Sequence, residues 1–225
     1  MAYDVMPLFS KVFYKNTLDD IEDKELENIR EIIDEKEYMV SNFSDPDKHL
    51  DLTTSSVDFE IFVTDKRLKF IKDRILKEFY IFKNEVLRLD KLDFDITTSW
   101  VAKSQYGQVS GLHVHHNCFY SGVLYISTDK ECGDIFFTDM SEGRFVFDNR
   151  IAEYNVFNAK AWRFTPVDKM IIFFPSEVNH KILRNYSHNT RYSLAFNIIP
   201  VGTVGEGDSQ FQYVLWANHR YKDQE

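Results

Sequence analysis

From residue 93 onward the chain alternates short apolar runs with clusters of Gly, Asp and Asn. The runs fall at 93–103, 119–127, 133–138, 144–148, 160–165, 169–174, 179–184 and 190–199, and are rich in Val, Ile, Phe, Tyr and Thr. About eight runs at this spacing predict the strands of a sandwich or jelly roll. The first ninety residues have a different texture. Leu18, Ile21, Leu26, Ile29, Ile32 and Ile33 recur at helical spacing within 18–36, where Asp19 and Asp20 suit a first turn. A second helix is expected from Asp65 to about Leu89, capped by Thr64, with Leu68, Ile71, Ile75, Phe79 and Phe82 as its buried stripe. Pro7 to Tyr14 reads as a short strand, 40–56 as a polar loop, and 210–220 as a last short helix.

No repeat, low-complexity linker or sharp composition break divides the 225 residues. The expected organisation is one domain, 1–225. Residues 1–90 supply an N-terminal strand and helices that support a barrel, 91–200 form the barrel, and 201–225 are a C-terminal extension. The expected fold class is mainly β with flanking helices: a double-stranded β-helix, the jelly roll of cupin-like proteins, with the N-terminal helices packed outside.

Composition supports this picture. Hydrophobic residues make up 44% of the chain, enough for a sizeable core, and 20 Phe and 12 Tyr favour sheet over helix bundle. The net charge of −9 argues against a nucleic-acid polymer as partner, because such binding needs clustered Lys and Arg. Two cysteines, Cys118 and Cys132, read as free thiols in a reducing compartment. The N-terminus has no basic segment followed by a long apolar run, and no run approaches the roughly 20 residues of a membrane span. The expectation is a soluble, cytoplasmic protein with no membrane partner.

Three of the seven histidines fall within four residues, in Gly-Leu-His113-Val-His115-His116-Asn117. On a strand, His113 and His115 share a face, and two imidazoles on one face can chelate a metal. The alternative is a polar strand edge with solvated histidines. A second segment runs from an apolar strand through Phe-Phe-Pro175-Ser-Glu-Val-Asn-His180 and returns as Arg191-Tyr-Ser193-Leu-Ala-Phe-Asn197. Arg191 and Ser193 share a face turned toward a barrel interior, where a guanidinium needs an anion or several acceptors. Its planar fork suits a bidentate carboxylate, and Ser193 can add a hydrogen bond. A structural ion pair with an acidic side chain is the alternative.

In order, His-x-His, Ser-Gly-Val-x-Tyr, Gly133-Asp-Ile-Phe-Phe, Phe-Phe-Pro-Ser-x-x-x-His and Arg-x-Ser-x-x-Phe-Asn resemble the 2-oxoglutarate/Fe(II)-dependent oxygenases. The resemblance covers roughly residues 93–200. It is nearest to the "putative 2OG-Fe(II) oxygenase" subfamily that carries His-x-His, which includes phage-encoded members, and extends more distantly to prolyl hydroxylases. It implies Fe(II), 2-oxoglutarate as co-substrate and O2, with release of succinate and CO2 and, by default, hydroxylation of a substrate C–H bond. His113 and His180 match iron ligands. Arg191 and Ser193 match the grip on the far carboxylate of the oxo acid, and Tyr125 falls where prolyl hydroxylases place a tyrosine on that carboxylate. No further catalytic side chain is implied. A phage-encoded member would work in the host cytoplasm.

One departure stands out. His115 occupies the position of the usual carboxylate ligand. Either three neutral histidines bind the iron, or His115 does not ligate, or the register shifts to His116 or Asn117; the shared face favours His115. Asn117 and Ser121 are candidates for orienting a ligand or the oxo acid, and Asn197 shares the face of Arg191. Lys103 is a possible second grip on the oxo acid. The expected substrate is a small molecule or a peptide, with 40–56, 104–112 and 139–160 as mouth loops. Two rivals remain: a three-histidine cupin-type dioxygenase that needs no oxo acid, and a non-enzymatic jelly-roll module whose histidines bind zinc or nothing.

Overall fold

The structure is a computed structural model, which describes residues 4–40, 52–89, 91–140 and 151–213. Its strands are β1 (Tyr14–Thr17), β2 (Tyr38–Val40), β3 (Thr54–Ser56), β4 (Asp93–Ser104), β5 (Tyr120–Ser127), β6 (Ile135–Thr138), β7 (Ala161–Phe164), β8 (Met170–Pro175), β9 (Asn179–Ile182), β10 (Arg191–Val204) and β11 (Phe211–Tyr213). The helices are α1 (Asp23–Asp34), a single turn α2 (Ile61–Thr64) and α3 (Lys69–Phe82). The large sheet runs β1-β8-β5-β10-β4-β3-β2, with β11 paired to the end of β10, and the small sheet runs β7-β6-β9. Strand pairing is antiparallel. This is the expected double-stranded β-helix with helices outside it.

The period-two alternation of each strand decides which residues reach the barrel interior. On β8, Ile171 and Phe173 join the helix-side core, whereas Met170, Ile172 and Phe174 join the core between the sheets. On β5, Tyr120, Leu124 and Ile126 face the helices and Tyr125 faces inward. β10 pairs with both β4 and β5, so Arg191, Ser193 and Ala195 line the interior while Leu194, Phe196 and Ile198 pack under the helices. A bulge between Asn197 and Ile198 skips Thr97 and keeps Ile96 and Phe94 on the helix side.

The five stripe residues of the second helix are all fully buried. Burying each side chain stabilises the fold by about 1.5–3 kcal/mol. That helix runs without interruption from Lys66 to Leu87, but its ends are irregular: it opens with a tight turn at Lys66–Leu68 and closes with a wide π-type turn at Lys83–Leu87, ended by Arg88 at φ 55°, and the single turn α2 precedes it. Asp65 rather than Thr64 caps it, accepting from the Arg67 backbone N–H at 3.1 Å, while Thr64 donates to the Asp58 carboxylate. The separation of α2 from this helix follows from Asp65, whose extended backbone and side-chain acceptor compete with helical geometry.

Four other expectations change. The first strand covers Tyr14–Thr17, not Pro7–Tyr14, because these four residues pair with β8. The first helix starts at Asp23, where the Glu25 carboxylate accepts from the Glu22 N–H at 2.8 Å; Leu18 and Ile21 are buried in the approach. The expected 40–56 loop includes the end of β2 and all of β3, and its residues 41–51 lie outside the described residues. Residues 211–213 of the expected last helix form β11; 214–220, like the expected strand at 144–148, lie outside the described residues. Among the described residues no helix is long and apolar enough to cross a membrane.

Candidate metal centre

His113 and His115 lie on an irregular segment between β4 and β5, not on a strand. Two backbone connections hold it. His113 and His180 form an isolated antiparallel bridge, and the His115 N–H donates to the Ser176 carbonyl at 2.9 Å. His180 arrives on β9, where it pairs with Phe137 of β6. The result brings one ring nitrogen from each of His113, His115 and His180 within 4.8 Å of one another. His116 is exposed, which leaves the shifted register without support.

The ring tautomers follow from backbone acceptors. Nδ1 of His113 lies 2.8 Å from the Gly111 carbonyl, and Nδ1 of His180 lies 2.9 Å from the Val178 carbonyl. A carbonyl only accepts, so both Nδ1 atoms carry the proton and both Nε2 atoms are left with a lone pair. Burial holds all three imidazoles below their ordinary pKa, His115 at about 4 with help from His113 and His116. They are therefore neutral at pH 7, as a metal ligand must be. Phe174 packs edge-on against His180 at 4.6 Å and Trp100 lies 5.5 Å from His115, walls that restrict water.

The cavity beside these rings has a volume of about 80 Å³ and reaches Arg191, Ser193 and Tyr125. Arg191 is 1% exposed. Its Nη1 donates to the Gly133 carbonyl at 3.2 Å, its Nε has no partner, and its guanidinium lies 5.9 Å from the Tyr125 ring. Among the described residues no carboxylate pairs with it, so the ion-pair alternative has no support there. Burial lowers its pKa and Tyr125 and Cys132 raise it; a guanidinium stays charged regardless. Gly133 sits at φ +87°, and a Cβ there would meet the Leu183 carbonyl at 2.3 Å, so this acceptor depends on glycine. Ser193 donates a long hydrogen bond to the Ala102 carbonyl at 3.4 Å.

Ser121 and Asn197 do not line the cavity. They form a chain in which Asn197 Nδ2 donates to Thr98 Oγ1 at 2.8 Å, Ser121 donates to Asn197 Oδ1 at 2.7 Å, and Ser176 Oγ lies 2.9 Å from Ser121 Oγ. The chain ends at the residue whose carbonyl holds His115, so it braces the site from behind. Asn117 is exposed, in a left-handed turn at φ 59°. Lys103 faces the helices, where it pairs with Asp34 at 2.7 Å and covers the Tyr38 ring; its parity opposes that of Ala102. Sequence reasoning passed over Trp100, Ser104 and Ser176. Parity on β4 would have flagged Trp100 and Ser104; Ser176 acts through its backbone, which carries no residue signal. Beyond Phe174 lies an open cleft of about 1290 Å³ with Phe9, Phe137, Phe157 and Trp162 on its walls.

Residues 98–197 match the family model described as "Putative 2OG-Fe(II) oxygenase". This stretch holds all three histidines, Arg191 and Ser193. In structure the chain is similar to HygX from Streptomyces hygroscopicus with nickel and 2-oxoglutarate bound, with a TM-score of 0.56 and 9% identity over 92% of this chain and 94% of that one. It is similar to the non-heme alpha-ketoglutarate-dependent carbocyclase SnoK from nogalamycin biosynthesis (0.61, 10% identity, 88% and 84% covered). A prolyl-4-hydroxylase from Pseudomonas putida is a third neighbour (0.53, 15% identity, 82% and 91% covered). At these identities the likeness is one of fold. No curated protein matches the chain in sequence.

Proposed function

We propose that this chain is an Fe(II)- and 2-oxoglutarate-dependent oxygenase that hydroxylates a C–H bond of its substrate, with release of succinate and CO2. The observation that carries this reading is the pairing, in one small cavity, of three converging imidazoles with a buried guanidinium that has no carboxylate partner among the described residues. The family match over the segment holding both groups supports it.

His113, His115 and His180 would hold the iron, with Nε2 of His113 and His180 directed by their Nδ1–H bonds. Arg191 and Ser193, with Tyr125 beside them, would hold the far carboxylate of the oxo acid. Iron(II), when bound, supplies oxygen activation at the expense of the oxo acid. The chain supplies orientation, charge and an apolar wall of Trp100 and Phe174. A ligand set of three imidazoles carries one negative charge fewer than the usual two-histidine, one-carboxylate set. The substrate would be a small molecule or a peptide, reached through the wide cleft that shares Phe174 with the cavity. HygX has been crystallised with hygromycin B bound, which makes a small molecule a reasonable first choice.

Anaerobic addition of Fe(II) and 2-oxoglutarate should give a weak visible charge-transfer band and a calorimetric binding signal. Absence of both would overturn the reading. The identity of His115 favours a second reading, a three-histidine dioxygenase that needs no oxo acid. Oxygen uptake that proceeds without 2-oxoglutarate would select it, and would leave Arg191 without a task.

A further inference from the structure

We propose that Ser104 is a further binding residue for the distal carboxylate of the oxo acid, acting across the strand from Arg191. The inference rests on the function proposed above. In the β10–β4 ladder Arg191 stands directly opposite Ser104, and Ser193 directly opposite Ala102. Trp100, Ala102, Ser193 and Arg191 line the metal cavity; Ser104 is not itself in the lining, but strand alternation sets it on the same face of β4 as Trp100 and Ala102, buried beside Arg191 at the cavity's edge.

Among the described residues two buried side-chain polar atoms have no hydrogen-bond partner: Ser104 Oγ and Arg191 Nε. They belong to this one opposed pair. Ser104 is 0% exposed and Arg191 1%, so bulk water does not serve either atom. Buried donors are almost always matched, and two mismatches at one place in a ladder mark a position prepared for a missing acceptor. The guanidinium Nε can only donate and the hydroxyl can donate, so the missing group accepts from both. It is also an anion, because Arg191 has no carboxylate partner among the described residues. A carboxylate meets both conditions with its two oxygens.

Ser104 is also held in place. Its carbonyl accepts from Asn185 Nδ2 at 2.7 Å, and Asn185 is fully buried. Its backbone is therefore fixed by bonds that do not involve the hydroxyl. A hydroxyl that supports the fold and one that awaits a ligand predict opposite effects on removal. The first lowers the stability of the free protein. The second leaves that stability unchanged or raises it, and weakens only the ligand.

The test uses the full chain loaded anaerobically with Fe(II), as wild type and Ser104→Ala. Calorimetry measures 2-oxoglutarate and oxalate; oxalate can chelate a metal but lacks the distal carboxylate. We expect the Kd for 2-oxoglutarate to rise about tenfold, the size of one charge-assisted hydrogen bond. The Kd for oxalate should change less than about twofold, and the metal-free Tm should not fall. An unchanged Kd for 2-oxoglutarate, an equal loss of both ligands, or a variant that fails to fold would overturn the role of Ser104. A wild type that binds metal and oxalate but not 2-oxoglutarate would instead overturn the function on which the role rests.

Discussion

His113 and His180 exchange both of their backbone hydrogen bonds, the N–H of each donating to the carbonyl of the other at 3.0 and 2.9 Å. The bridge joins the irregular histidine segment to the edge of the small sheet, and it involves no side-chain atom. The backbone bridge thus sets the two residues side by side, with 4.3 Å between their ring centroids. The metal-free protein should keep its fold. His113→Ala should lower Fe(II) affinity by more than about tenfold, as even residues behind a metal site do, while circular dichroism and the metal-free Tm stay near wild type. Loss of the fold in this variant would show that the ring, not the bridge, organises the segment.

Among the described residues His115 makes no such bridge. A single backbone bond to Ser176 and the neighbouring Trp100 ring hold it. If it ligates, His115→Ala should cost as much metal affinity as His113→Ala, and His115→Asp should recover part of it by restoring a carboxylate to the set. Metal titration of His115→Ala with wild-type affinity would remove His115 from the ligand set.

Arg191→Ala should raise the 2-oxoglutarate Kd by about 10- to 100-fold, the range for losing hydrogen bonds to a charged group. Iron content at saturation should stay unchanged. Arg191→Lys should recover little, because an ammonium cannot reproduce the fork and its bond to Gly133. Unchanged 2-oxoglutarate affinity in the alanine variant would refute the carboxylate role.

Much of this site was legible in the sequence, and the limits are specific. The order His-x-His, Phe-Phe-Pro-Ser and Arg-x-Ser was visible because each piece is local. Period-two parity then turned Arg191 and Ser193 inward correctly. It misled at His113 and His115, which share the cavity without sharing a strand; there backbone bonds from Ser176 and His180 do what a ladder was expected to do. β3 escaped because Thr54-Ser-Ser is polar on both faces, so no apolar alternation marks it, although it pairs with β2 and β4. Ser104 shares the parity of Trp100 and Ala102, but its meaning comes from the register that sets it opposite Arg191, which no local pattern shows.

Gly122 illustrates a constraint from packing alone. A Cβ at this position would lie 2.4 Å from the Phe196 ring and 2.8 Å from the Ile172 carbonyl. Phe196 is fully buried under the helices and cannot retreat into solvent. Gly122→Ala should therefore destabilise the fold by about 1–3 kcal/mol, the range for overpacking a filled core. A urea midpoint equal to wild type would show that Phe196 has room that the static packing conceals.

Asp65 offers a pH test away from the metal. Its carboxylate accepts from Arg67 Nη2 at 2.8 Å and Nε at 3.0 Å, from the Arg67 backbone N–H, and from Lys36 Nζ at 2.6 Å. Arg67 is the larger influence, followed after the opposing cost of burial by Lys36, and together they hold the carboxyl far below the usual carboxylate range. A depressed folded-state pKa stabilises the fold above the ordinary value of about 3.9, and that stabilisation is lost as pH falls from there toward the folded-state value. Solvent screens the share from half-exposed Arg67, so the expected total is about 1 kcal/mol. Asp65→Asn should be less stable than wild type by this amount at pH 7 and at pH 5, as read from urea midpoints. The gap should narrow once the pH drops below about 4, because the unfolded wild type then takes up a proton that its folded form still excludes. A gap that stays constant down to pH 2.5 would mean that Asp65 acts as a helix cap through hydrogen bonding alone, with no net contribution from its charge.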